Sequence, residues 1–420
     1  MFEDDLRHIR DRWQAAFGQY DELKAAAEHV VVRWEWTEGD RYTLLPFYFN
    51  RVSGRARRLK ERPTSDGYYI HYGFDDRGRV RLHRFVRLSG HGDPQPPRSG
   101  HHQGDLAADV IGETFYDYGD TLTETIEFSI FPRIPLKVHQ VFRQDERVVR
   151  HVSMELNGYA PPYIEKGKTP DDLYERLGPG GRFLAVENYV HEGNRLTTII
   201  GYREVPGPPP HHFEERFTYD EDGRLQRIDG IHEDGRKWIV YQRRKKGQTF
   251  QSIREAATQK LIKAVIERLR AAHIDERLYC IELGYQALNY HFPPWIVPGL
   301  ERYRQDLVSS SNPDVRFFIF SPALQGKERS LEITDPDTLE ICQLLEQEIQ
   351  VGKKWDTATR ILRDVAAALT HHDWTGILDI TPDFVVYAID HEMEGHDLEG
   401  VLSTSASHEQ IQEWKGKGWL

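Results

Sequence analysis

Phe74-Asp75-Asp76-Arg77-Gly78-Arg79-Val80 and Tyr219-Asp220-Glu221-Asp222-Gly223-Arg224-Leu225 are two copies of one phrase: aromatic, Asp, acid, any residue, Gly, Arg, aliphatic. A looser copy, Phe142 to Val148, keeps the frame with Glu146 in place of Gly, and Tyr189 to Leu196 repeats it with one residue more. Asp and Gly tolerate the positive φ angles of tight hairpin turns, so each copy predicts a strand, a turn and a second strand. The phrase identifies architecture and leaves chemistry open.

Alternation on either side of these turns extends the strand prediction. Val30, Val32, Trp34 and Trp36 alternate with other residues, polar or charged from Arg33 onward. Val80, Leu82, Val86 and Leu88 alternate with Arg79, Arg81, His83 and Arg87, and Leu122, Ile126, Phe128 and Ile130 with Thr and Glu. A period of two over such lengths predicts antiparallel strands with one buried face. Ahead of them, Leu6, Ile9, Trp13 and Phe17 recur at helical spacing and predict a helix that covers a sheet. Two stretches, Gly90 to Gly104 and Asn157 to Gly181, break the pattern and read as long loops or subdomain junctions.

After Gly247 the period changes. Ile253, Ala257, Ile262, Val265, Ile266 and Leu269 predict a helix; strands are expected at Leu278 to Leu283 and Arg316 to Phe320. Asp335-Pro336 opens a helix with a side-chain cap and a first-turn proline. Another helix follows Asp356, and the apolar run Phe384 to Ile389 predicts a central strand. Ser407 with Gln410 forms a capping box ahead of the last helix. The expected fold class is α+β. An antiparallel β-rich hairpin region fills 1–247, with room for two subdomains meeting at about 157–181, and an α+β domain with a small sheet flanked by helices fills 248–420.

Composition bounds function. The chain has 420 residues, 39% hydrophobic and 11% aromatic, enough to bury a sizeable core in two or three domains. A net charge of −12 disfavours a phosphate backbone as partner, and the short basic run Arg243-Arg244-Lys245-Lys246 reads as a solvated strand end. No apolar run reaches membrane length and the N-terminus is acidic, so a cytoplasmic protein with neither a membrane nor a nucleic-acid partner is expected. Cys280 and Cys342 lie in apolar stretches and read as buried reduced thiols.

Two resemblances follow from these residues. Tyr219-Asp220, Gly223-Arg224-Leu225 and Ile228 resemble the YD repeat of large Rhs-type bacterial proteins, although the copies are too few and too unevenly spaced to wind a closed shell. The last 165 or so residues resemble an uncharacterised bacterial family encoded near polymorphic toxins, whose members are regarded as immunity proteins. The likeness is carried by the element order, Trp355-Asp356 to Asp373-Trp374, Asp383 to Asp390, and the acidic Glu392 and Glu394. It implies a non-catalytic binding protein that occludes a protein partner, such as a basic bacterial toxin domain. The residues expected at that contact are Asp390, Glu392, Glu394, Asp397 and Glu399, with Trp295 as an aromatic anchor from a proline-rich insert that also holds Tyr285, Tyr290 and Tyr303; a core lid over the small sheet is the equal alternative for these rings.

Catalytic patterns are weak. His391-Glu392-Met393-Glu394-Gly395-His396 resembles a zinc-protease helix, yet its histidines are five apart where one helix face needs four. A metal-assisted hydrolase using His391, His396 and Glu392 is therefore the alternative, and a scaffold for a partner chain a third reading. The histidine pairs at 101–102, 211–212 and 371–372 have no nearby Cys. Gly178-Pro179-Gly180-Gly181 lacks the Lys-Ser of a phosphate loop, and Glu113 with Asp117, or Glu124 with Glu127, read as polar strand faces. No cofactor motif is present, and none is expected to be bound.

Overall fold

The computed structural model describes residues 2–52, 56–89, 107–130, 133–156, 182–205, 209–286, 290–310, 318–325, 330–352, 354–392 and 397–420. It is a mixed α and β protein of two compact units, Met1–Val240 and Tyr241–Leu420.

The first unit is a twelve-stranded antiparallel meander in which each strand pairs with its chain neighbours. The strands are β1 (Arg33–Thr37), β2 (Gly67–Phe74), β3 (Val80–Ser89), β4 (Ala107–Tyr118), β5 (Leu122–Ile130), β6 (Arg133–Gln144), β7 (Arg147–Leu156), β8 (Arg182–Glu192), β9 (Arg195–Glu204), β10 (His211–Tyr219), β11 (Leu225–His232) and β12 (Lys237–Gln242). All four phrases are hairpin turns, joining β2 to β3, β6 to β7, β8 to β9 and β10 to β11. In a meander, every second turn lies at the same end of the sheet, so the phrase marks one edge of the unit. Gly78 and Gly223 supply the positive φ (74° and 76°). Where Gly is replaced, Asp145 and Glu146 adopt positive φ themselves. The conserved frame has a mechanism: the Asp75 carboxylate accepts the backbone N–H of Arg77 and Arg79, and Asp220 that of Arg224.

Two helices cover one sheet face. In α1 (Glu3–Ala16), Ile9 and Trp13 are buried as the spacing predicts, and the Trp13 indole donates to the Pro135 carbonyl at 2.8 Å. The second helix, α2 (Tyr20–Val30), corrects the reading of Val30 as strand, while Val32, just ahead of β1, donates its N–H to the Phe74 carbonyl; the Lys24-Ala25-Ala26-Ala27-Glu28 core of α2 is made of strong helix formers. The shared core contains Leu82, Phe115, Ile126, Val138, Val152 and Leu184. The expected breaks at 90–104 and 157–181 lie outside the described residues, and β7 and β8 on either side of the second pair with each other.

The opposite face carries a strap, residues 38–52, ending in the one-turn α3 (Tyr48–Arg51). Tyr42 packs on Tyr72 and Phe74 of β2, while Phe47 packs on Phe217 and Tyr219 of β10. Five residues span at most about 18 Å, whereas eight inter-strand steps cover about 38 Å in a flat sheet. Because strand side chains stand roughly upright from the sheet, both ends reach the strap only if the sheet curls around it. This face is therefore concave. Among the described residues β1 and β12 do not pair, so the curl is an open trough.

The second unit holds a three-stranded sheet in the order β14 (Tyr290–Leu300), β13 (Leu278–Gln286), β15 (Ile380–Asp390), with β13 and β15 parallel. Helices α4 (Phe250–Ala271), α6 (Pro336–Gly352) and α7 (Trp355–Thr370) bury one face, where Ile281, Leu283, Phe384 and Val386 point. The other face, with Tyr279, Val385, Tyr387 and Ile389, packs on α8 (Leu398–Leu402) and α9 (His408–Gly416). Between them in the chain, α5 (Glu301–Ser309) follows β14 directly. The Asp335 cap and the Ser407–Gln410 capping box form as expected.

Three expectations are corrected. The run Phe384 to Ile389 is apolar because both its faces are covered, yet β15 is an edge strand and β13 the central one. The described part of Arg316 to Phe320 is a helical turn, with Ile319 and Phe320 buried. The proline-rich insert is itself a strand, β14, paired antiparallel with β13. Cys280 and Cys342 are buried free thiols. Among the described residues, no helix is long and apolar enough to cross a membrane.

Candidate functional site

The concave face of the first unit is polar where a half-buried sheet is normally either apolar or open to water. On six consecutive strands the residues that alternate away from the helix-covered core point the other way: Tyr72, His83, Thr114 and Tyr116, Thr125 and Glu127, Lys137 and His139, and His151. They enclose, with Asp40, Tyr42 and Tyr48 of the strap, a cavity of about 160 Å³.

Burial sets the charge state of this cavity. His83 is held uncharged, its pKa lowered from 6.5 to about 3 by burial and by Lys137. Its two ring nitrogens are engaged, by the Tyr116 hydroxyl at 3.0 Å and by Thr114 Oγ1 at 2.9 Å. His139 also lies well below the usual imidazole range, through burial, the adjacent His151 and Lys137. The Tyr72 and Tyr116 hydroxyls are pushed upward by burial and stay neutral. Lys137 stays charged, because Glu127 and Glu155 outweigh its burial. Its ammonium meets Glu155 at 2.8 Å but stands 3.9 Å from Glu127, beyond hydrogen-bond reach. Burial raises Glu127 above the ordinary carboxylate value.

A second network fastens the strap. Arg51, 7% exposed, places Nη2 2.6 Å from Glu187 Oε1 and Nε 2.6 Å from Glu215 Oε2. Glu187 also accepts the Tyr189 hydroxyl at 2.7 Å and Arg203 at 3.0 Å. His151 links this cluster to the cavity, with Nε2 3.0 Å from His139 Nδ1 and Nδ1 3.6 Å from Glu187. Arg143 on β6 donates to the Leu44 carbonyl at 3.3 Å. The strap is thus held from β2, β6, β8 and β10.

The paired carboxylates separate by face. Glu113 is buried beneath α2, bonded by the Tyr20 hydroxyl and Arg84, and Glu124 is paired with Arg12 of α1. Glu127, three residues after Glu124, points into the cavity. His211 and His212 are neighbours on a strand and point to opposite faces. His372 packs edge-on against Trp374. His101, His102 and the Gly178–Gly181 segment lie outside the described residues.

In the second unit, two of the residues expected at a partner contact lie near the carboxyl ends of β13 and β15: Trp295, opposite Gly284, and Asp390, the last residue of β15. The Trp295 ring lies 5.3 Å from His391, whose Nε2 is 2.7 Å from the buried Glu282 carboxylate. That hydrogen bond raises the His391 pKa against the opposing effect of burial. Gly284 makes room for Trp295, since a Cβ there would stand 2.0 Å from the indole nitrogen. Asp390 is 5% exposed and accepts the Glu392 N–H at 3.0 Å. Asp397 caps α8 through the Gly400 N–H, and Glu399 pairs with Lys415 at 2.7 Å. Glu394 and His396 lie outside the described residues. No cluster of three His, Cys, Asp or Glu able to hold a metal ion occurs among the described residues.

The cavity was not visible as a site in the sequence. Its one signal is that the cavity-lining residues of β3 to β7 are mostly His, Tyr and Thr, with only Glu127 and Lys137 charged in type, alongside an aromatic-rich 42–49 segment. No protein-family model matches the chain, and no curated protein is significantly similar to it.

Proposed function

We propose that the antiparallel unit is a receptor for a small polar molecule, bound on the concave face beneath the strap. The observation that carries this reading is the convergence of hydrogen-bonding and titratable side chains from six consecutive strands on one 160 Å³ cavity. Buried polar groups cost stability unless they find partners, so a fold that gathers them in one place is built to meet polar atoms there. Binding is favoured over catalysis. His139 is a weak base at its depressed pKa, and the Glu187 behind His151 is already neutralised by Arg51 and Arg203. The test is imidazole NMR of the full chain against sugars, amino acids, amines and small acids at millimolar concentration. At least one class is expected to shift the His83 and His139 resonances in a saturable way. If no class moves either resonance, the receptor reading fails.

A protein-partner surface on the second unit is a separate reading, supported by a half-buried Trp beside an imidazole of raised pKa. Trp is among the residues most enriched at interface hot spots. A basic toxin-like partner would meet the surface around Trp295 and the acidic Glu392. Affinity capture from the source organism with wild-type and Trp295→Ala protein tests it. A stoichiometric basic partner lost in the variant is expected; an unchanged or absent partner overturns it.

A further inference from the structure

We infer that the strap-covered cavity takes a small organic cation, a primary amine or diamine whose ammonium group is seated by Glu127 and Asp40. This rests on the receptor reading and adds the chemical class.

Charge bookkeeping inside the cavity carries the inference. Its one lining ammonium, Lys137, is committed to Glu155 at 2.8 Å and leaves Glu127 at 3.9 Å without a hydrogen-bond donor from it. Asp40 of the strap is exposed and also lines the space, its charge within reach of Tyr48, Tyr72 and Glu127. Lys137 thus faces three carboxyl groups, Glu155, Glu127 and Asp40, and among the described lining residues there is no second ammonium or guanidinium. Of the cavity's three lining imidazoles, His83 and His139 are held uncharged, and His151 is engaged by His139 on one side and by Glu187 on the other.

Other ligand classes fit less well. An anion would have to strip Lys137 from Glu155 while approaching Glu127, which adds repulsion to a desolvation cost. A neutral polyol brings no charge to Glu127 and Asp40, whose shared ammonium is already bonded to Glu155. An ammonium supplies three donors to carboxylates in a charge-assisted geometry. It also gains from the surrounding Tyr42, Tyr48 and Tyr72 rings, whose faces attract cations. Size limits the guest. A cavity of about 150 Å³ accommodates benzene, so 160 Å³ suits roughly six to eight heavy atoms.

The test compares 1,4-diaminobutane with its neutral isostere 1,4-butanediol by calorimetry and imidazole NMR, using the full chain. The diamine is expected to bind and the diol not. Glu127→Gln, which keeps shape and removes charge, is expected to weaken the diamine by at least about tenfold, and Asp40→Asn to weaken it less. His83 and His139 resonances report that both variants keep the cavity. Equal binding of the diol, or an unchanged diamine affinity in Glu127→Gln, overturns the cation inference while leaving the receptor reading intact. Failure of every class to bind overturns both.

Discussion

Replacing Arg51 by Met is expected to destabilise the antiparallel unit by about 3–5 kcal/mol, the usual cost of removing one partner from a buried ion pair. Arg51, Glu187 and Glu215 are 7%, 5% and 3% exposed, so solvent cannot take over the lost contacts. Glu187 keeps Arg203 and Tyr189, whereas Glu215 is left with Arg203 at 3.8 Å. Most of the loss is therefore assigned to Glu215. Arg51→Lys should recover only part of it, because a single ammonium on a flexible stem cannot bridge two carboxylates as a planar fork does. Adding Glu215→Gln to Arg51→Met should restore a substantial part of the loss by removing the stranded charge. The readout is amide hydrogen exchange in β8 to β10 of the full chain. An effect of Arg51→Met below about 1 kcal/mol would show that the latch is solvated and contributes as a surface pair does.

Much of the architecture was legible because hairpins and amphipathic helices are written in local spacing. The Asp-x-x-Gly-Arg phrase names its own turn: Asp75 and Asp220 close it through backbone N–H groups a few residues away. The Ile9–Trp13 face and the capped helices after Asp335 and Ser407 depend on contacts within one element and its immediate support. What was misread depended on neighbours distant in sequence. The run Phe384 to Ile389 shows that both faces are covered, and says nothing of how many strands flank it. Val30 fits a strand period locally; only its place at the end of α2 decides otherwise.

The cavity was illegible for a related reason. Alternation shows that His83, Glu127, Lys137 and His139 leave the helix-covered core, and a solvated face is the simplest destination. Two facts absent from any local window reverse that reading: the sheet curls, and a strap 30 to 110 residues away in sequence closes over its hollow. Glu124 and Glu127 make the point at the smallest scale. Three residues apart, one belongs to the α1 ion pair and the other to the cavity, because a strand sends odd and even positions to different chemistries.

Acidification from pH 6.5 to 5 is expected to weaken the antiparallel unit, and the sign follows from the buried imidazoles. His83 and His139 bind protons readily when unfolded, near 6.5, but resist them when folded. The unfolded state then carries more bound protons, so stability falls as pH drops through this window. At about 1.4 kcal/mol per pK unit, the 6.5 to about 3 displacement of His83 allows up to ~2 kcal/mol by pH 5. His139→Gln and His83→Gln should each flatten the slope, and together remove most of it. Glu127 and Asp40, raised by burial, act with the opposite sign, since a carboxyl whose folded value is raised gains stability as pH falls, so they oppose the imidazoles and reduce the net loss. Glu113 and Glu187 have folded pKa values below the usual range, so their contribution is intact above about 4.5 and is lost only at lower pH. The second unit supplies an internal control of opposite sign. His391 has a raised folded pKa, so its contribution is complete below about 6.5 and is lost as pH climbs through the folded value. Hydrogen exchange, corrected for intrinsic rates, should therefore show amides of β3 and β6 deprotected at pH 5 relative to pH 6.5, with those of β13 protected or unchanged. A parallel loss in both units would mean that net charge, and not these imidazoles, governs the response.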